Sequence, residues 1–137
     1  MSYKRNTIYE ARRQQARKRA LSKRDGIPYR CVRLIASGAA YTSHIRHNTK
    51  QHYLGYYKHA TDAALAYDRA VLMLFGSGRG GSRGGAFTNL ELELLSPHIT
   101  MTTKGEQTWQ RACKRLEKEE GIQDATVPLP PPQASLI

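Results

Sequence analysis

A chain of 137 residues, 39% of them hydrophobic, can build one small core with tails or two very small domains. Its formal charge of +11 makes a polyanion the expected partner. No run nears the ~18 apolar residues of a membrane span, so no membrane partner is expected. Cys31 and Cys113 stand alone, without a Cys-x-x-Cys pair, which argues against a disulfide framework.

The charge is uneven. Residues 1–25 carry +7, residues 26–95 carry +4, and residues 96–137 carry none. That division matches a reading of three parts: a basic N-terminal extension, a central domain, and a C-terminal helix with a proline-rich tail.

In chain order, the first element is a helix over Thr7 to Arg24. Arg12, Arg13, Arg17, Lys18, Arg19, Lys23 and Arg24 sit there among Ala and Gln, which favour helix. Ile8, Ala11, Ala20 and Leu21 make only a weak apolar stripe, so packing contributes little and the helix would be marginal alone. It is expected to fold when phosphates neutralise it. A disordered tail and an Arg-rich, acid-poor organellar targeting segment are the alternatives.

Two strands follow at Tyr29–Ile35 and Ala40–His47, turning around Ser37-Gly38. A third, centred on Tyr53-Leu54-Gly55-Tyr56-Tyr57, returns through Asn48-Thr49-Lys50 as a hairpin. Gly55 inside a strand signals a bulge or a close backbone approach. Alternation places Val32, Leu34, Ser43, Ile45, Leu54 and Tyr56 towards a covering helix. Arg33, Ile35, His44, Arg46, Gln51 and Tyr53 fall on the open face.

The covering helix is Thr61 to Phe75. Thr61 is its expected cap and Gly76 its terminator. Ala63, Ala66, Tyr67, Ala70 and Leu74 form one stripe at helical spacing. Its alanines let the helix lie close to the sheet. The next stretch, Gly76 to Gly85, lacks the Gly-Lys-Ser/Thr of a phosphate-binding loop. Its Arg79 and Arg83 suit flexible phosphate contacts, with a plain flexible insertion as the alternative.

A final helix is expected from Lys104 to Glu120. Thr103 and Glu106 have capping-box spacing, and Gly121 stands at its end. Trp109, Ala112, Cys113 and Leu116 make its apolar stripe, which could dock on the domain or on a partner. Val127 to Pro132 favours an extended polyproline conformation.

Tyr-Leu-Gly-Tyr-Tyr, then Ala63-Ala64-Leu65-Ala66-Tyr67-Asp68-Arg69-Ala70, then Thr88-Asn89-Leu90, resembles the plant APETALA/ethylene-response-factor domain. Tyr29-Arg30-Cys31-Val32-Arg33 and Ser43-His44-Ile45-Arg46 resemble its first two strands. The resemblance runs from Gly26 to Leu90. It implies an α+β fold, a three-stranded antiparallel sheet with one helix on its back, whose front face enters the DNA major groove. It also implies that Arg30, Arg33 and Arg46 touch bases or phosphates. Tyr53 stands where the family usually has a tryptophan, Gln51 replaces an arginine and His44 an acidic residue. Ile35 and Ser37 stand where plant members carry an arginine and a tryptophan.

Catalysis is not expected. His44, His47 and His52 have no Cys or carboxylate spaced to complete a zinc site, so neither metal nor cofactor is implied. Asp68 has no nucleophile or second carboxylate with it. Some proteins with this domain carry a His-Asn-His nuclease module, and nothing here resembles one.

Two functions follow as expectations. One is a structural RNA-binding component of a lineage-specific mitochondrial ribosome, among neighbouring proteins. A basic compact domain inside a large nucleic-acid assembly is how many ribosomal proteins are built, and no universal one looks like this domain. The other is a sequence-specific DNA-binding transcription factor in the nucleus. An arginine–guanine contact carries about 1–3 kcal/mol of discrimination, so the changes at Ile35 and Ser37 favour the RNA reading.

Overall fold

The alternating strands and alanine-lined helix fold as an α+β unit. A computed structural model describes residues 3–35, 37–80 and 82–121, without the side chains of residues 3–7. The elements run α1 (Tyr3–Leu21), β1 (Val32–Leu34), β2 (Tyr41–His47), β3 (Lys50–Tyr57), α2 (Ala60–Phe75) and α3 (Thr103–Glu120). The sheet is antiparallel in the order β1-β2-β3. The segment Val127 to Pro132, read as extended, lies outside the described residues.

His47 pairs with Lys50, so the hairpin loop is Asn48-Thr49 alone, one residue shorter than expected. Both residues have positive φ, 52° and 63°, which is the type I′ requirement for a two-residue loop. Strand β1 is also shorter than expected. Ile35 lies beyond it, half-buried, donating its N–H to Ala40 O at 3.0 Å.

Val32, Ser43, Ile45, His52, Leu54 and Tyr57 are the buried strand residues. Leu34 and Tyr56, expected to face the helix, are instead 47% and 68% exposed. For Tyr56 the cause is a bulge. Thr42 pairs with Tyr56 and His44 with Tyr53, so Leu54 and Gly55 together oppose Ser43. One extra residue reverses the alternation beyond it, turning Tyr57 inward and Tyr56 outward. Gly55 has a φ of 106°, and a Cβ there would meet Thr108 Cγ2 of α3 at 2.7 Å. The bulge and the close approach therefore coincide at one glycine.

Helix α2 begins a residue before the expected cap. Its N-cap is His59, which makes no side-chain capping bond. Ala63, Ala66, Tyr67 and Ala70 are buried as the stripe requires, and Asp62, Ala64, Asp68 and Val71 join them. The buried surface is wider than one stripe because the sheet and α3 share one core with it, including Trp109, Ala112 and Leu116. Thus the apolar stripe of α3 docks on the domain itself. Its N-cap is Thr102, which accepts from Gly105 N at 3.0 Å, and Gly121 closes it in the left-handed conformation. Asp62 ties the two helices together, accepting from Thr102 N at 3.1 Å and Thr102 Oγ1 at 2.6 Å.

The far end of α3 reaches the hairpin. His52 Nδ1 meets Glu119 at 2.9 Å and its Nε2 meets Glu120 at 2.5 Å, while His47 Nδ1 meets Glu120 at 2.9 Å. Burial works to raise the Glu120 carboxyl, but the bonds and charges of both histidines outweigh it and hold the group below its ordinary value.

Asp68 holds the segment after the glycine-rich loop. It accepts from Asn89 N at 2.6 Å, Asn89 Nδ2 at 3.2 Å and Leu90 N at 3.0 Å. Burial pushes its carboxyl up to about 7, against those three donors. The folded state then binds a proton more readily than the unfolded chain. Its contribution therefore falls as pH rises from about 4, the unfolded carboxyl value, to the folded value. Asp68→Asn should lower stability by about 1–3 kcal/mol, since one amide oxygen cannot serve three donors. It should also flatten the pH dependence across that window, as denaturant titrations at a series of pH values would read.

Gly55→Ala should cost about 1–2 kcal/mol from the backbone alone, and more from the Thr108 contact. Adding Thr108→Ala should recover the second part only. Thermal denaturation of the two variants separates them, and full recovery would place the strain wholly in the side-chain contact.

Candidate nucleic-acid interface

Residues directly opposite in an antiparallel pair share a face. The register therefore sets Arg33 beside Thr42 and Tyr56, His44 beside Tyr53, and Arg46 beside Gln51. Arg33, Arg46, Gln51, Tyr53 and Tyr56 are exposed there, on the face opposite the α2 core. Gln51 Nε2 donates to Tyr53 Oη at 3.1 Å, which steadies the ring. Burial, with the charges of Arg33 and Lys23, pulls the half-buried His44 imidazole below its ordinary pKa. His44 therefore adds little charge at neutral pH, and Arg33 and Arg46 supply the positive field of the face.

Other sequence candidates are drawn inward. Arg30 donates to Gly85 O at 3.2 Å and Phe87 O at 3.0 Å. Arg83 is buried and bonds Gly78 O, Ala86 O and the Glu91 carboxylate. The glycine-rich loop is thus folded around Arg83. Glu91 also accepts from Gly80 N at 3.0 Å and Thr88 N at 2.9 Å.

The same segment receives α1. Arg13 donates to Glu91 O at 3.0 Å and Arg17 to Leu92 O at 2.9 Å. Tyr9 packs against Phe87 with ring centroids 5.6 Å apart, and the Arg79 guanidinium lies 3.9 Å over the Tyr9 ring. The basic helix is docked on the domain by its own arginines and a tyrosine, in place of the weak apolar stripe. Ile8 and Leu21 of that stripe remain half-exposed, and Ala20 is buried. Arg12, Lys18 and Arg19 are exposed along α1. Beyond its end, Lys23 Nζ donates to Tyr29 O at 2.6 Å and Val32 O at 2.8 Å. The basic extension thereby meets the sheet at β1.

Sequence reasoning missed Tyr56, Arg111 and Arg115. Thr108, Arg111 and Arg115 repeat the i, i+3, i+7 spacing of Trp109, Ala112 and Leu116 one position earlier. On a helix that offset runs a second stripe along the border of the buried one. The signal was present, but only the position of α3 beside β3 gives it meaning. Arg115 donates to Tyr53 O at 2.8 Å, covering the edge of the sheet. The carboxylates of α3 also reach His47 and His52, which the sequence spacing did not foresee. Among the described residues, no group of three His, Cys, Asp or Glu side chains is placed to hold a metal ion.

No family model, no curated protein and no solved structure matches this chain. The APETALA-type resemblance rests on the quoted residues.

The two classes of arginine should separate in a stability measurement. Arg83→Ala removes the only cation paired with Glu91 among the described residues and the donor to two loop carbonyls, Gly78 O and Ala86 O, and should lose about 3–5 kcal/mol, as for broken buried ion pairs. Arg46→Ala, on an exposed strand position, should stay within about 0.5 kcal/mol of the parent. Chemical denaturation reads both, and equal losses would mean that Arg46 too is structural.

Proposed function

We propose that this chain binds nucleic acid through the open sheet face, as a structural component contacting ribosomal RNA in a lineage-specific mitochondrial ribosome, with no catalysis of its own. The observation that carries the reading is the uncovered face with Arg33 and Arg46 beside Tyr53 and Tyr56. Cations hold phosphates without reading sequence, and exposed aromatic rings take bases that are not already stacked in a duplex. The docking of α1 supports RNA further. Arg12, Lys18 and Arg19 are held by a helix fastened to the domain, so the chain presents basic surfaces in a fixed relation. Folded RNA offers phosphates on several sides of an embedded protein.

The second reading is a sequence-specific DNA-binding transcription factor in the nucleus. The β1-β2-β3 order with α2 on the back favours it, being the arrangement the resemblance implies for a major-groove reader. Ile35 and Ser37 count against it, because neither can make a bidentate base contact.

Selection from random duplex DNA at ~150 mM salt should yield less than about tenfold preference for any site, far below the ~10³ or more of specific binders. The protein should co-sediment with mitochondrial ribosomal particles. Arg46→Ala should weaken structured RNA and duplex DNA alike and reduce the log–log salt slope by about 0.7 to 0.9. A single strong DNA consensus abolished by Arg46→Ala would overturn the RNA reading.

A further inference from the structure

Two clefts lie along the seam between β3 and α3. One, of about 380 Å³, is bordered by Thr42, Tyr53 and Tyr56 on the sheet and by Arg111 and Arg115 on the helix. The other, of about 450 Å³, is bordered by Lys58 and Lys104. They share Tyr56 and Thr108 and therefore abut. Asp62 also borders the second cleft, but its carboxylate oxygens are both engaged by Thr102. From Lys104 to Arg115 the helix rises about 16 Å.

Resting on the nucleic-acid reading above, we propose that this seam is a track for single-stranded nucleic acid. Tyr53 and Tyr56 are the stacking platforms, and Arg111, Arg115, Lys58 and Lys104 hold the backbone. The bulge at Gly55 turns Tyr56 out to solvent, leaving it 68% exposed, and Tyr53 beside it is 54% exposed. The same glycine lets Thr108 approach, so the cationic side of α3 stands directly beside the two rings. Arg115 is oriented by one N–H on Tyr53 O, which leaves further guanidinium donors for a ligand. Among the described residues Arg111, Lys58 and Lys104 form no ion pair. Alternating aromatic faces and cations suit a strand whose bases are free to stack. A duplex hides its base faces and cannot use the rings. An acidic peptide would use the cations but not the stacking.

The test uses the full chain and labelled oligouridine about eight nucleotides long, with oligothymidine and a blunt duplex in parallel, read by fluorescence anisotropy. Oligouridine is expected to bind, and Tyr56→Ala to weaken it about tenfold or more, the scale of one lost base stack. Tyr56→Phe should bind as the parent does, and Arg111→Ala should weaken the single strand severalfold. Duplex affinity should change less than about twofold in both Tyr56 variants, since a duplex cannot stack on the rings. Melting temperatures check that each variant folds. Tighter uridine than thymidine binding identifies RNA as the source, and the reverse identifies single-stranded DNA. Unchanged oligouridine binding in Tyr56→Ala and Arg111→Ala, with loss in Arg46→Ala, overturns the track while leaving nucleic-acid binding standing. Equal displacement by polyglutamate of the same length overturns it in favour of an acidic peptide. Failure of the parent to bind any nucleic acid overturns both readings.

Discussion

The structure depends on how residues 88–92 are held. This segment has little regular secondary structure, so its polar groups need partners elsewhere. Asp68 of α2 receives the N–H groups of Asn89 and Leu90, and Asn89 Oδ1 accepts from Arg30 N at 2.6 Å. Arg13 and Arg17 of α1 take the carbonyls of Glu91 and Leu92, and Arg83 takes the Glu91 carboxylate. One short segment thereby joins α1, the lead into β1, the glycine-rich loop and α2. Removing Asp68 would leave the buried Asn89 N–H without its partner, which costs more than the bond itself contributed.

That arrangement separates net charge from available charge. The carbonyls bonded by Arg13, Arg17 and Arg30 neutralise nothing, so the long-range field of a +11 chain survives. Such a field would draw in a polyanion, with an attraction that weakens as salt shortens its reach. At contact distance the number of guanidinium groups able to hold a phosphate is smaller. Arg33, Arg46, Arg111 and Arg115 are exposed around the sheet and its seam, while Arg83 is internal. Counting arginines along the sequence overstates the cations that could hold a phosphate for this physical reason.

Periodicity carried most of the fold. The alanine stripe of α2 and the Trp109-Ala112-Leu116 stripe of α3 depend only on which side chains can approach closely, and that is written locally. The turn after His47, though read one residue too long, and the terminator Gly121 were legible because turn and end signals are also local. The candidate site was legible only in part. Arg33, Arg46, Gln51 and Tyr53 follow from alternation before the bulge, whereas Tyr56 lies after it and alternation alone put it inside. Arg13, Arg17, Arg30 and Arg83 look in sequence like any cation on a polar stretch. Their carbonyl partners lie 55 or more residues away, except for Arg83, whose loop closes on itself. Helix caps moved by one or two residues; at α3 the cap Thr102 also donates its hydroxyl to Asp62 of α2, a tertiary bond that no local motif encodes.

Gly55 connects edge protection to the proposed binding surface. An unprotected edge strand pairs with other chains, and short strands or covering helices suppress this. Here β1 has three residues and its carbonyl at Val32 is taken by Lys23, while Arg115 of α3 caps β3 at Tyr53. Helix α3 can come that close only where β3 lacks a side chain, and the backbone can bulge there only where a positive φ is tolerated. Glycine satisfies both conditions. The bulge that admits the helix also turns Tyr56 outward, so closing the edge and building an aromatic platform beside cations are one structural event. A substitution at Gly55 would therefore disturb the fold and the seam together, whereas Tyr56, Arg111 and Arg46 can be altered from the solvent side. Those exposed positions are where the proposed functions of the two surfaces can be separated from the stability of the sheet.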